Sequence, residues 1–236
     1  MTAAFAWGLL AASSLVLGGL LALHRPIGRR PLGLVMAFGA GVLISAVAFE
    51  LVEEAFETSS GDGVALGLLT GSLVYFAGDT LIDRLDATAG ASGGAGPALV
   101  LGTVLDGVPE SVVLGLTVLE EGSVSVALLV AVFLSNLPEA VAATSELAAG
   151  GWTTRRIMGL WSLVAVAAAA AAAAGYGLFG SASPATLAFV LAFAGGAILC
   201  MLADTMMPEA FEHGGKAVGL VTTFGFALAF AVSSLE

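Results

Sequence analysis

The sequence is short of charge, and above all of positive charge. Only 11% of its 236 residues are charged, with 7 Lys plus Arg against 18 Asp plus Glu. A soluble domain normally carries roughly 25% charged residues, so a globular protein that faces water on all sides is excluded. Seven basic residues also cannot form the basic surface that nucleic-acid binding requires, which excludes a nucleic-acid partner.

A single cysteine, Cys200, excludes an intrachain disulfide. Apolar residues dominate instead, at 58% of the chain and a mean hydropathy of +1.04. The apolar runs lie near 3–23, 32–56, 63–83, 97–119, 124–148, 155–179, 185–211 and 216–234. Each is about as long as the roughly 20 residues that span a bilayer. We therefore predict an all-α integral membrane protein, an eight-helix bundle surrounded by lipid, with residues 1–236 forming one polytopic domain.

The basic residues predict how the chain crosses the membrane. They are Arg25, Arg29, Arg30, Arg84, Arg155, Arg156 and Lys216. All seven follow the first, third, fifth or seventh apolar run, and the loops after the second, fourth and sixth runs contain none. Because loops rich in Lys and Arg stay in the cytoplasm, we predict a multi-pass protein of the cell membrane with both termini extracellular.

A short internal repeat relates the second and seventh runs. Gly41 and the segment 54–57 (Glu-Ala-Phe-Glu) recur 155 residues later as Gly196 and the segment 209–212. The two runs cross in opposite directions in the predicted topology. The pattern favours an inverted repeat of runs 1–3 and 6–8 around a central pair, a 3+2+3 arrangement of the kind found in secondary transporters. A chance match between two apolar helices is the alternative.

Carboxylates inside the spans indicate a function. An acid costs about 2.5–3.5 kcal/mol at the centre of a membrane helix, and no Lys or Arg lies deep in any span. Such acids must be protonated, face water or bind a cation. The two groups at mid-span are Asp106 with Glu110 in the fourth run and Ser135, Asn136 with Glu139 in the fifth. Spacings of three and four residues place the side chains of each group on one helix face.

Each group includes a proline directly before its glutamate, Pro109 or Pro138. A proline kinks a membrane helix and frees a backbone carbonyl, and a kink alone is the plain alternative for each. The short loop between the runs makes the helices antiparallel neighbours, which brings Glu110 and Glu139 to comparable depth. Oxygen-rich clusters of this kind bind divalent cations. The predicted metal ligands are Asp106, Glu110, Ser135, Asn136 and Glu139.

Further polar residues lie between these groups and the two membrane faces. In the predicted topology, three lie toward the outer end of the second run and four toward the inner ends of the fifth and seventh runs. They are Glu50, Glu53, Glu54, Glu146, Asp204, Glu209 and His213. We interpret them as a cation path, in which His213, four residues after Glu209, is a candidate metal ligand.

The two proline motifs resemble those of the ZIP (Zrt/Irt-like) family of divalent metal ion transporters. The family motif His-Asn-x-Pro-Glu-Gly is matched by residues 106–111 (Asp-Gly-Val-Pro-Glu-Ser) and 135–140 (Ser-Asn-Leu-Pro-Glu-Ala). The end of the seventh run, from Asp204 to Ala210, is also similar. The resemblance covers nearly the whole chain. It implies eight spans, import of metal into the cytosol by movement of one helix bundle against another, and a homodimer.

The resemblance also implies roles for single residues. Glu110 and Glu139 would bridge a binuclear site, Asp106 and Ser135 would take the positions of the motif histidines, and Asn136 would bind the second metal. Both motif histidines and both motif glycines are absent, as is the first asparagine. Imidazole favours zinc, whereas oxygen donors suit harder ions, although zinc accepts carboxylates as well. The implied substrate is therefore zinc first, with manganese, iron, cadmium and magnesium as alternatives.

Two other hypotheses remain open. The acids could serve as proton relays in a proton-coupled transporter of another solute, or the chain could be a relative that binds metal without transporting it. No nucleophile–base pair indicates an enzyme, so we expect no catalytic residue.

Overall fold

The computed structural model describes residues 1–25, 27–59, 61–93, 96–120 and 122–234, except the side chains of 85–93, 96–100 and 120. Within these residues the chain forms eight helices and no strand. The helices are α1 (Thr2–His24), α2 (Arg29–Thr58), α3 (Gly61–Gly93), α4 (Gly96–Glu120), α5 (Val126–Ala149), α6 (Thr154–Phe179), α7 (Pro184–Gly214) and α8 (Ala217–Ser233). The all-helical architecture predicted from the apolar runs is confirmed.

The helices have the length and composition of membrane spans. Seven of the described helices, α1 to α7, are long and apolar enough to cross a membrane. The eighth has 17 residues, the lower limit for a span. Large apolar side chains such as Leu73, Leu163, Leu178 and Leu220 are strongly exposed on the outside of the bundle. Extended apolar surface of this kind requires lipid rather than water around it, as expected for a multi-pass membrane protein.

The clearest departure from the predicted boundaries lies between α3 and α4. The apolar runs that end at residue 83 and begin at residue 97 predict a long break between them, but α3 continues to Gly93 and α4 begins at Gly96. Gly94 and Ala95 lie outside the described residues, as does Glu121 in the next predicted loop. A glycine costs only about 1 kcal/mol relative to alanine within a helix. Glycines interspersed with alanine and serine therefore do not end α3 where its apolar run ends.

Two of the long helices contain a π-helical turn. It covers Val47–Glu53 in α2 and Leu202–Met206 in α7. The two turns begin 155 residues apart, which is the spacing of the short sequence repeat. A π-helical turn inserts an extra residue into an α-helix and is frequent at functional sites. In both helices it directly precedes the segment that carries the repeated Glu-Ala-Phe-Glu.

The helix pairs α2–α8 and α3–α7 pack through corresponding residues. A Cβ atom at Gly41 of α2 would collide with the carbonyl oxygen of Thr222 in α8, and one at Gly196 of α7 would collide with that of Leu68 in α3. The reciprocal contacts are Gly225 against Phe38 and Gly71 against Phe193. Small residues allow such close backbone approach between membrane helices. Equivalent glycines therefore hold both helix pairs together.

The remaining helices pack around α1. This helix contacts both α5 and α6, while α4 packs mainly on α6 and α5 also contacts α2. The helices α4 and α5, which were predicted to be antiparallel neighbours, contact each other over a limited length. Their mutual position is thus set largely through α1 and α6. The grouping of the helices as 3+2+3 stays a prediction, as does the extracellular location of the termini.

Substitution of the contact glycines tests this packing. We expect Gly41→Ala and Gly196→Ala each to destabilise the protein by about 1–3 kcal/mol, because the added methyl group meets backbone that cannot move aside. Thermal unfolding of the purified protein in detergent measures the effect. The matched control is Gly159→Ala in α6, where a Cβ would meet nothing within 4 Å. It should be neutral or stabilising, and equal melting temperatures for all three variants would contradict the packing described.

Candidate metal centre

Glu110 is the most deeply buried acid of the site. Its side chain is 1% exposed, and it directly follows Pro109 within α4. The Ser135 hydroxyl of α5 lies 3.4 Å from Glu110 Oε1 and donates at 3.0 Å to the Val132 carbonyl. A serine hydroxyl has one proton, and the shorter contact engages it. Glu110 therefore receives only a weak hydrogen bond from Ser135.

Glu139 occupies the corresponding position after Pro138 in α5 and is half-buried. The groups with which it interacts electrostatically are Asp106, Glu110 and Glu209, all of them carboxylates. No Lys or Arg occurs in the sequence of α4 or α5. The negative charge around Glu139 therefore has no positive side chain on either helix to balance it.

Asp106 lies one helical turn before Glu110 in α4 and is half-buried. Its Oδ1 accepts a hydrogen bond of 2.6 Å from the hydroxyl of Tyr75 in α3. Asp106 also interacts electrostatically with Asp79, again in α3. It thus connects the acids between α4 and α5 with polar residues of a third helix.

Asn136 lies on a different side of α5. It is 4% exposed and lines a small cavity of about 20 Å³ between α4, α5, α1 and α6. Thr103, Gly107 and Ser111 of α4 line the same cavity. Most of its lining is apolar, and its volume corresponds to about one water molecule. Of the five predicted ligands, Asp106, Glu110, Ser135 and Glu139 are linked to one another by pairwise interactions, whereas Asn136 lines this neighbouring cavity.

The acids do not converge on a single point. In the part of the chain that the structure describes, the His, Cys, Asp and Glu side chains form no group of three or more with metal-binding spacing. Asp106, Glu110 and Glu139 interact electrostatically without surrounding one common position in this conformation. Their carboxylates, with the Ser135 hydroxyl and the Asn136 amide, are oxygen donors of the type that hard or borderline divalent cations bind.

A large cavity opens at the end of the bundle where both chain termini lie. This terminal cavity has a volume of about 900 Å³ and is lined by Trp7, Phe49, Glu50, Glu54, Gly122, Ser123, Val124, Val126 and Ser233. Two of the three path residues predicted in α2, Glu50 and Glu54, line it. Glu53 is exposed but is not among the lining residues. The terminal cavity therefore combines an acidic wall with access from outside the bundle.

The path residues predicted on the opposite side form two groups. Glu209 interacts electrostatically with Glu139, Glu146 and His213, and thus connects the central acids with the ends of α5 and α7. The Nδ1 atom of His213 is buried and has no hydrogen-bond partner among the described atoms. Asp204 lies apart from them, on the side of α7 that faces α3.

Asp204 is exposed and forms the second group with Cys200 and Asp79. It accepts a contact of 3.3 Å from the Cys200 thiol and interacts electrostatically with Asp79 of α3. Since Asp79 also interacts with Asp106, this second group reaches the central acids from another direction than Glu209 does.

Tyr75 was not among the predicted site residues. It continues the spacing of Gly67 and Gly71 along α3, and Gly78 follows one turn later. The sequence feature that could have indicated Tyr75 is its place as a tyrosine among glycines at helical spacing. The sequence could not indicate its partner, because the contact with Asp106 depends on how α3 packs against α4.

Comparison with known proteins gives a distant similarity. No family model matches the sequence. A protein of Arabidopsis thaliana named "Putative zinc transporter" is 27% identical over an alignment of 212 residues that covers 86% of this chain. The chain spans only 34% of the length of that relative.

Removal of one central charge tests the electrostatics of the site. In metal-free protein kept in EDTA, we expect Glu110→Gln to raise the melting temperature by about 2–4 °C, the shift that 1 kcal/mol produces at this chain length. Glutamine keeps the volume but removes one of the mutually repelling charges.

The control for this measurement is Glu57→Gln, which changes an exposed acid at the end of α2 and should leave the melting temperature unchanged. A lower melting temperature of Glu110→Gln at pH 8 would show that the Glu110 carboxylate has a compensating partner, contrary to the geometry described here.

Proposed function

We propose that the chain transports a divalent metal cation across a membrane. The observation that carries this proposal is the group formed by Asp106, Glu110 and Glu139 inside an apolar bundle, where the electrostatic neighbours of Glu139 are other carboxylates. A buried charge without a partner costs several kcal/mol. A divalent cation neutralises two carboxylates at once, so binding of the ion relieves the repulsion that the empty site contains.

In the proposed site, Glu110 and Glu139 bind the ion from α4 and α5. Asp106 and the Ser135 hydroxyl are further ligands, and Asn136 binds a second ion from the neighbouring small cavity. Because the acids do not surround one position in this conformation, ion binding has to draw α4 and α5 closer together. The limited contact between the two helices permits such a movement.

The route of the ion follows from the position of the remaining acids. Glu50 and Glu54 in the wall of the terminal cavity attract cations toward the bundle, since an acidic cleft with apolar walls concentrates counter-ions. Glu209, with Glu146 and His213, receives the ion from Glu139 on the other side. With the termini outside, as the distribution of basic residues predicts, this direction is import into the cytosol.

Corresponding features of α2 and α7 support an inverted repeat. The π-helical turns and the contact glycines recur at the same spacing. In transporters with inverted repeats, two similar halves alternate in opening a central site to either side. Glu54 and Glu209 are equivalent in this repeat, and they lie on opposite sides of the central acids.

Zinc is the first candidate substrate, because the ZIP-like motifs and the printed name of the Arabidopsis thaliana relative agree on it. The donors are oxygens only, which also suit manganese and magnesium. Uptake by wild-type protein in proteoliposomes, compared for zinc, manganese, iron, cadmium and magnesium, identifies the substrate. Absence of flux for all five ions would overturn the proposed function, and solute uptake without any metal would favour a proton-coupled carrier.

The central glutamates are tested directly by substitution. We expect Glu110→Ala and Glu139→Ala to reduce metal uptake by more than about 100-fold, since even hydrogen-bond partners of metal ligands change affinity by 10–100-fold. Glu57→Ala, at an exposed position in α2, serves as the matched control and should transport normally. Size-exclusion profiles show whether the variants fold. Normal uptake by a folded Glu110→Ala and a folded Glu139→Ala would eliminate metal transport through this site.

Protons should compete with the metal. Carboxylates bind metal in their deprotonated form, so metal binding releases protons and weakens in acid. We expect the apparent KM for zinc uptake to rise steadily as the pH falls from 8 to 5, with the internal pH held constant. A KM that does not change over this range would contradict carboxylate ligation of the ion.

A further inference from the structure

We propose that Tyr75 is the positioning residue of Asp106: its hydroxyl holds the Asp106 carboxylate in the orientation that binds metal. The inference rests on the proposed function, since it assigns a role to Asp106 as a ligand. The hydroxyl of Tyr75 lies 2.6 Å from Asp106 Oδ1, and Tyr75 is only 3% exposed. The contact is therefore a short hydrogen bond shielded from lipid and water.

The course of α3 explains why a tyrosine occupies this position. At Gly71 the backbone of α3 contacts the Phe193 carbonyl of α7, and at Gly78 it lies beside the Leu105 side chain of α4. Tyr75 stands between these two contacts, one turn after Gly71. It is thus placed where α3 turns from its contact with α7 to its contact with α4. A long side chain at this position can reach the face of α4 that carries Asp106.

The type of partner distinguishes this contact from ordinary packing. A buried tyrosine hydroxyl needs a hydrogen-bond partner, and a backbone carbonyl serves that purpose. Tyr75 instead donates to a carboxylate, and hydrogen bonds to a charged acceptor are shorter and about twice as strong as neutral ones. The bond engages Oδ1 of Asp106, and Oδ2 is not part of it.

The hydrogen bond from Tyr75 joins two helices, since Tyr75 belongs to α3 and Asp106 to α4. The orientation of Asp106 therefore depends on α3 as well as on α4. Partners that fix a ligating side chain in this way usually change metal affinity by about 10–100-fold when they are lost.

The test uses Tyr75→Phe, which removes the hydroxyl and keeps the ring. In proteoliposomes we expect the KM for zinc uptake, and for manganese uptake, to rise by about 10–100-fold, with an unchanged maximal rate. The matched control is Tyr176→Phe, which changes the half-buried tyrosine of α6 and should leave KM unchanged. A role of Tyr75 in packing alone would leave KM as it is, because phenylalanine keeps the ring.

A double-mutant comparison shows whether Tyr75 acts through Asp106. Zinc binding is measured by the zinc-induced rise in melting temperature, which does not require flux. Tyr75→Phe should weaken binding in the wild-type background and add nothing in Asp106→Asn. This inference alone would be overturned if Tyr75→Phe weakened zinc binding equally in both backgrounds. It would also be overturned if the wild type transported metal and Tyr75→Phe had the same KM. A wild type that neither binds nor transports zinc or manganese would overturn the proposed function and this inference together.

Discussion

The structure depends on one electrostatic constraint, which is negative charge without an internal positive partner in an apolar bundle. Two features express it together: no Lys or Arg lies in the sequence of α4 or α5, and Asp106, Glu110 and Glu139 interact with one another in the interior. A lysine or arginine among these acids would pair with them and remove their attraction for a cation. In a medium of low dielectric constant the same acids bind an ion strongly and repel one another strongly without it.

Two helix pairs, α2–α8 and α3–α7, pack closely, whereas α4 and α5 contact each other only over a limited length. Backbones meet at the glycines of α2–α8 and α3–α7, where no side chain separates the helices. The helices that carry the central glutamates lack an extensive contact with each other and are held by α6 and α1 instead. A small change in how α1 packs on α6 would therefore change the distance between Glu110 and Glu139 while leaving the other pairs intact.

The helices could be predicted from the sequence because long apolar runs are a local feature, and the structure confirms them. A proline directly before each acid singled out Glu110 and Glu139 as metal ligands, and that role stays a prediction. Features that depend on packing could not be predicted. Ser135 and Asn136 are adjacent and point about 100° apart on a helix, and only the kink at Pro138 and the neighbouring helices determine which of them approaches Glu110. Tyr75 was missed for the same reason, since its partner lies on another helix.

The π-helical turn of α2 has a consequence for the two ends of that helix. One additional residue rotates everything that follows by about 100° relative to an unbroken α-helix. The orientation of Glu54 toward the terminal cavity is therefore independent of the orientation of Gly41 toward α8. Loss of one residue between 47 and 53 would preserve a regular helix and its contact with α8, yet it would turn the acidic end to a different neighbour.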